Sequence, residues 1–210
     1  MRIPVDRRAW PKTFVLLAPA ILFLFIYPPA AWVLFFILLA HLAFFRDPER
    51  IPPPGDLPLA PADGTVSDIS VVFEDRFLKE EAIRIGLFLS IFVPHVNRSS
   101  ANGTVAYLEY EPGKFLNALN KDSAKLNESN WIGIQDAGRC ILMRQISGAI
   151  ARRIHCDVKL GEKLERGQRI GIICYGSRAE CYIPKKLFRA GVNIGDKVKA
   201  GETILGEWLS

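Results

Sequence analysis

Histidine is scarce in this chain: three in 210 residues, at positions 41, 95 and 155. The four cysteines, Cys140, Cys156, Cys174 and Cys181, form no CxxC pair and keep no zinc-type spacing with a histidine. A metal cage is therefore not expected, and neither is a disulfide framework. The cysteines read as small reduced core residues of a cytosolic compartment. Formal charge is missing altogether from Thr13 to Phe45, "TFVLLAPAILFLFIYPPAAWVLFFILLAHLAFF". That absence excludes a solvated surface element, and the run is longer than a small core can hide.

As one straight helix this run would reach about 50 Å at about 1.5 Å per residue, against a bilayer core of about 30 Å. Pro28-Pro29 sits near its middle and removes two backbone donors, so a sharp break is expected there. Either a helical hairpin or a single kinked span satisfies these facts. Arg2, Arg7, Arg8 and Lys12 precede the run, and Arg46 and Arg50 follow it. Both flanks thus prefer the cytoplasmic side, which favours the hairpin. The chain carries 27 Lys+Arg against 22 Asp+Glu, a net charge of +5. With such a segment present, that excess points to anionic membrane lipids rather than nucleic acid. The expected location is the cytoplasmic face of a cell membrane.

Residues 46–60, rich in proline, read as an extended connector. Beyond residue 60 short apolar runs alternate with glycine-containing turns: "GTVSDISVV", "IRIGLFLSIFV", "GTVAYLEY", "WIGIQDAGRCILMRQIS", "RIGIICYG" and "ECYIP". Each reads as a strand. "GKFLNALNKDSAKLNESN" (113–130) reads as a long loop, and its "LNESN" end is a candidate lining for a ligand entrance. Two echoes occur. "GEKLERGQRIG" at Gly161 returns as "GDKVKAGETILG" at Gly195, 34 residues on, and "DGTV" (63–66) returns as "NGTV" (102–105). The expected fold is mainly β, a small barrel or sandwich built from duplicated halves with lipoyl-like hairpin turns, preceded by the apolar helical hairpin. The expected division is 1–45, 46–60 and 61–210. A carrier or transport-adaptor domain is the rival function. However, a carrier needs a lysine at the hairpin tip, and the dipeptide there is Gly176-Ser177.

Three clusters could carry chemistry. Asp63 stands before a glycine in "PADG". His95, Asn97 and Arg98 follow one another in "PHVNR". Gly176, Ser177 and Arg178 interrupt a run that otherwise reads as a single buried strand. Alone, the first is an ordinary turn aspartate and the second holds a structural histidine. Together with "FFRDPER", and in this order behind an apolar N-terminus, they resemble the short-form phosphatidylserine decarboxylases along essentially the whole chain.

That resemblance implies a pyruvoyl enzyme that cuts itself between Gly176 and Ser177. The serine hydroxyl attacks the glycine carbonyl, and the resulting ester eliminates. A pyruvoyl group derived from Ser177 then heads the smaller chain, leaving 1–176 and 177–210 as a heterodimer that could oligomerise further. The implied reaction turns phosphatidylserine into phosphatidylethanolamine and CO2 through a Schiff base, with no metal. Asp63 and His95 are expected to assist Ser177. Arg98 and Arg178 are candidates for the lipid phosphate or the serine carboxylate, with solvated surface charge as the plainer reading. One departure stands out: long forms of the family carry a second histidine three residues after the first, and Arg98 takes its place here. The roles assigned to His95 are therefore an inference.

Overall fold

A computed structural model describes residues 4–114, 126–148, 153–174 and 177–209. The chain divides into two compact units, Met1–Glu49 and Arg50–Ser210.

The first unit is a helical hairpin. Helices α1 (Ala9–Ile26) and α2 (Pro28–Phe44) meet at Tyr27, whose φ of −152° and ψ of 85° leave the helical region. The cause is local, because a residue preceding proline is pushed out of αR. Pro28 and Pro29 then occupy the first turn of α2, where no donor is missed. At the open end the Phe45 carbonyl accepts from the Asp6 N–H at 2.8 Å, and His41 Nε2 donates to the Ala9 carbonyl at 3.1 Å. His41 thus fastens α2 to α1. Helix α1 begins before the uncharged run and takes in Lys12, so it is longer than the apolar stretch alone implies. By length and composition it can cross a membrane, while α2 is a shorter apolar helix.

Among the described residues the second unit holds thirteen strands. They are β1 (Gly64–Glu74), β2 (Glu80–Leu89), β3 (Val96–Arg98), β4 (Gly103–Glu111), β5 (Ser129–Asp136), β6 (Arg139–Ile146), β7 (Ile154–Cys156), β8 (Lys163–Leu164), β9 (Arg169–Ile173), β10 (Ser177–Pro184), β11 (Phe188–Ala190), β12 (Lys197–Val198) and β13 (Gly206–Trp208). Eight form one curled sheet in the order β12-β1-β2-β10-β6-β5-β4-β8. Strands β3, β9 and β7 form a second sheet, and β11 pairs β13. Strand β10 is central and buried along its whole length. Its Ala179, Cys181 and Ile183 join Ile85, Leu87 and Leu89 of β2 and Met143 of β6 in the main core. Arg178, Glu180 and Tyr182 alternate onto the other face, as a pleated strand requires.

The two sequence echoes pair with each other. Gly64 and Thr65 lie opposite Val198 and Lys197, and Gly103 and Thr104 lie opposite Leu164 and Lys163. Each half then carries a register shift at the same place, after Val66 and after Val105. The unit is thus built from two like halves, as expected.

Several expectations need correction. "IRIGLFLSIFV" leaves the sheet at Leu89; Ser90 to Val93 form a turn closed by the Val93 N–H on the Ser90 carbonyl at 3.0 Å. Ser129 and Asn130, read as loop, open β5, and residues 115–125 of that loop lie outside the described residues. Of the cysteines only Cys181 is buried, and burial pushes its thiol up to about 12. Leu59 and Ala60, placed in the connector, are fully buried core residues.

Candidate active site

Ser177 is the first residue of β10 and lies opposite Leu89, the last of β2. Directly paired residues of antiparallel strands share a face, so its side chain points with Leu89 into the core side of the sheet. The residue is 0% exposed, and its Oγ has no hydrogen-bond partner among the described residues. A buried hydroxyl without a partner costs about 1–3 kcal/mol, so folding alone gives no reason to keep it. Gly176, its predicted partner in cleavage, lies outside the described residues.

A layer of buried amides lies at the same end of the sheet. Gln145, opposite Ala179, donates from Nε2 to Asn97 Oδ1 at 2.6 Å, and Asn130 Nδ2 donates to Gln145 Oε1 at 2.9 Å. Asn127 Nδ2 donates to the Ser147 carbonyl at 2.8 Å. The sequence reading named Asn97 and the 126–130 stretch but missed Gln145 and Ser147. Nothing local marks those two, because their partners come from other strands.

His95 is fully buried just ahead of β3, and its carbonyl accepts from the Ile173 N–H at 3.3 Å. Strand β9 ends at that residue, only four before Ser177. Nδ1 lies 2.8 Å from the Val93 carbonyl. A carbonyl only accepts, so Nδ1 holds the proton and the Nε2 lone pair is a base.

Asp63 stands directly before β1, with β2 between it and β10. Two strand spacings separate its backbone from that of Ser177 by about 10 Å. Its Oδ1 accepts from the Ala200 N–H at 2.8 Å, and its Oδ2 pairs with Arg50 at 2.7 Å. Arg50 also reaches Glu202 at 3.2 Å. Burial lifts the Asp63 pKa above its ordinary value, although Ala200 and Arg50 pull against it. Neither carboxylate oxygen bonds His95 or Ser177, so the three residues share one end of the fold without forming a bonded triad.

Neither arginine candidate is a solvated surface charge. Arg98 is buried and donates to the Gly167 carbonyl at 3.0 Å. Arg178 lies on the face opposite Ser177, bonded to Asp68 at 2.6 Å and Glu180 at 2.8 Å. Burial works against its charge, but Glu180 and Asp68 raise its pKa. Among the described residues no group of histidine, cysteine and carboxylate side chains is arranged to hold a metal ion.

The profile of the family described as phosphatidylserine decarboxylase matches residues 37–206. A phosphatidylserine decarboxylase proenzyme of Symbiobacterium thermophilum is 41% identical over 209 residues, covering 98% of this chain and 97% of its own. One of Burkholderia pseudomallei is 43% identical over 210 residues, 97% of this chain and 94% of that protein. One of Carboxydothermus hydrogenoformans is 42% identical over 175 residues, 83% and 82% of the two chains.

Proposed function

The chain belongs to the phosphatidylserine decarboxylase family and is a carboxy-lyase, and from that premise we propose that it is a proenzyme activated at its own Ser177. Family membership displaces the carrier and adaptor alternatives. The observation that carries the proposal is the buried Ser177 Oγ, without a partner among the described residues, at the head of the central strand.

That geometry supports the following course of maturation. His95 Nε2 takes the Ser177 proton as Oγ attacks the Gly176 carbonyl carbon, and the Ser177 nitrogen leaves that carbon as an amine. Loss of the Ser177 Cα proton then expels the Gly176 carboxylate from Cβ. Water hydrolyses the resulting enamine, releases ammonia and leaves a pyruvoyl group on residue 177. Asp63 would assist this step from the same end of the fold, without a direct bond to His95 or Ser177. The products 1–176 and 177–210 stay together because β10 pairs β2 over eight residues and β6 over five.

The residues fit the group, since Ser177, whose Cα would become the keto carbon, is fully buried with amide side chains in the layer beside it. When formed, the pyruvoyl carbonyl supplies the electron sink for loss of CO2 from an α-amino acid. His95 then returns a proton to the substrate carbon, and the buried site excludes water from it. The substrate is phosphatidylserine, the product is phosphatidylethanolamine, and the location is the cytoplasmic face of a membrane with anionic lipids. Arg98 remains a candidate anion partner, whereas Arg178, on the face opposite Ser177 and held by Asp68 and Glu180, is a poor one.

The intact mass of purified protein tests this. Two chains are expected, the smaller beginning with a pyruvoyl group, and Ser177→Ala is expected to give one uncut, inactive chain. An active enzyme of one unbroken chain would overturn the proposal.

A further inference from the structure

The turn after β2 is made of the wrong residues for a turn. Ile91 and Phe92 occupy its two central positions, where glycine, proline, asparagine, aspartate and serine prevail. They are 45% and 79% exposed. A single exposed apolar side chain needs no explanation. Two together, at turn positions where polar residues prevail, are unusual. Their location matters more than their number. Leu89, two residues before Ile91, pairs with Ser177, and His95 follows Phe92 by three residues. On the other side of Ser177 stands Leu126, 50% exposed. It is followed by Asn127, whose side chain holds the Ser147 carbonyl, and Ser147 continues the strand that pairs β10. Lys114, also exposed, donates its N–H to the Leu126 carbonyl at 2.6 Å.

We propose that Ile91 and Phe92, with Leu126 opposite them, form an apolar lip through which this unit enters the surface of a phospholipid bilayer, setting the Ser177 end of the sheet at the headgroup level. This rests on the decarboxylase reading above. Three arguments select the bilayer as occupant. The substrate is a two-tailed lipid whose headgroup must reach a fully buried residue while its tails stay in hydrocarbon, so the rim of the site must itself meet the hydrocarbon boundary. The same chain carries an apolar helix fit to cross a membrane. The lip is also too small for a protein partner: its three partly exposed side chains have at most about 430 Å² left to bury, or about 870 Å² counted over both partners, below the roughly 1,200 Å² of total surface that stable protein interfaces bury. Lys114 adds a cation suited to anionic headgroups.

The test uses the full chain in vesicles of phosphatidylcholine with phosphatidylserine. Phe92→Trp is expected to show extra quenching by brominated lipid tails, measured against the parent with its own tryptophans. Ile91→Ser/Phe92→Ser is expected to cut itself normally yet lose about tenfold in the ratio of activity on vesicle lipid to activity on short-chain, monomeric phosphatidylserine. Absence of extra quenching, or an unchanged ratio, overturns the lip. So does burial of residue 92 in a lipid-independent, concentration-dependent dimer. Quenching needs no turnover, so a lip that inserts while the parent neither cuts nor decarboxylates would fault the decarboxylase reading and leave the lip standing.

Discussion

The corner before β1 and the corner before β4 are the same structure built twice. Before β1, the Val66 N–H bonds the Asp196 carbonyl at 2.9 Å and the Gly195 N–H bonds the Val66 carbonyl at 2.8 Å. Before β4, the Val105 N–H bonds the Glu162 carbonyl at 2.9 Å and the Gly161 N–H bonds the Val105 carbonyl at 2.8 Å. Even the side-chain cap repeats: Asp63 accepts from the Ala200 N–H at 2.8 Å, and Asn102 from the Arg166 N–H at 2.9 Å. The difference is one atom and its surroundings. Asn102 is exposed and lines a surface cavity of about 280 Å³. Asp63 is buried and needs Arg50 to hold its second oxygen. A neutral amide is thus enough to close this corner. The charge of Asp63 is not what closes the corner, and we propose that it serves the Ser177 chemistry beyond β2.

Asp63→Asn tests that difference most directly. Asparagine keeps the acceptor for Ala200 and removes only the charge. Self-cutting is expected to slow by about a hundredfold or more, the scale of a lost acid–base partner. A gel time course of freshly synthesised chain measures it. Cutting at the parental rate would make the two corners functionally equal and end the comparison.

Arg50→Met is the next largest. It leaves the Asp63 and Glu202 carboxylates in the second unit without their shared cation. Removing one partner of a buried pair costs about 3 kcal/mol or more, measurable by denaturant titration of the uncut Ser177→Ala form. Without the cation Asp63 should ionise only at higher pH, so the rate of cutting should shift to higher pH as well. Arg50→Lys should recover part of both. Unshifted pH dependence would mean that Arg50 serves the fold alone.

The legible part of these corners lies in glycine. Gly161 and Gly195 have φ of 84° and 98°, and Gly167 and Gly201 have 81° and 72°. Only glycine takes such angles freely, so the repeat could be read from the chain. Asp63, His95 and Ser177 were legible for a different reason, their place in ordered motifs. Arg50 closes the motif "FFRDPER", but its pairing was not legible, because it stands 13 residues from Asp63 and 152 from Glu202, and no local pattern joins them. The Asn97–Gln145–Asn130 chain was hidden in the same way. Ile91 and Phe92 misled because apolar identity is read as burial, while the turn at Ser90 turns them outward.

Acid stability separates the corners more finely. Folding raises the Asp63 pKa, so its contribution is most favourable below the ordinary aspartate value and declines as pH rises through the folded one. Asp63→Asn removes that dependence. In the Ser177→Ala form, the melting temperature of the asparagine variant should gain on the aspartate form between about pH 4 and pH 7. A gap that stays constant across this range would place the aspartate pKa at its ordinary value and make its burial electrostatically neutral.

The smallest effect is expected from the mirror substitution, Asn102→Asp. Its Oδ1 still accepts from Arg166, and its new charge faces water, so stability should change by less than about 0.5 kcal/mol. Self-cutting should run at the parental rate, because this corner opens β4, which is separated from β10 by β5 and β6 in the sheet. The pair of substitutions therefore carries more than either alone. If charge in the corner matters only where Ser177 is close, Asp63→Asn stops the cut and Asn102→Asp leaves it untouched. If Asn102→Asp also slows the cut, the two halves communicate through their common core, and the division between a structural and a chemical corner fails.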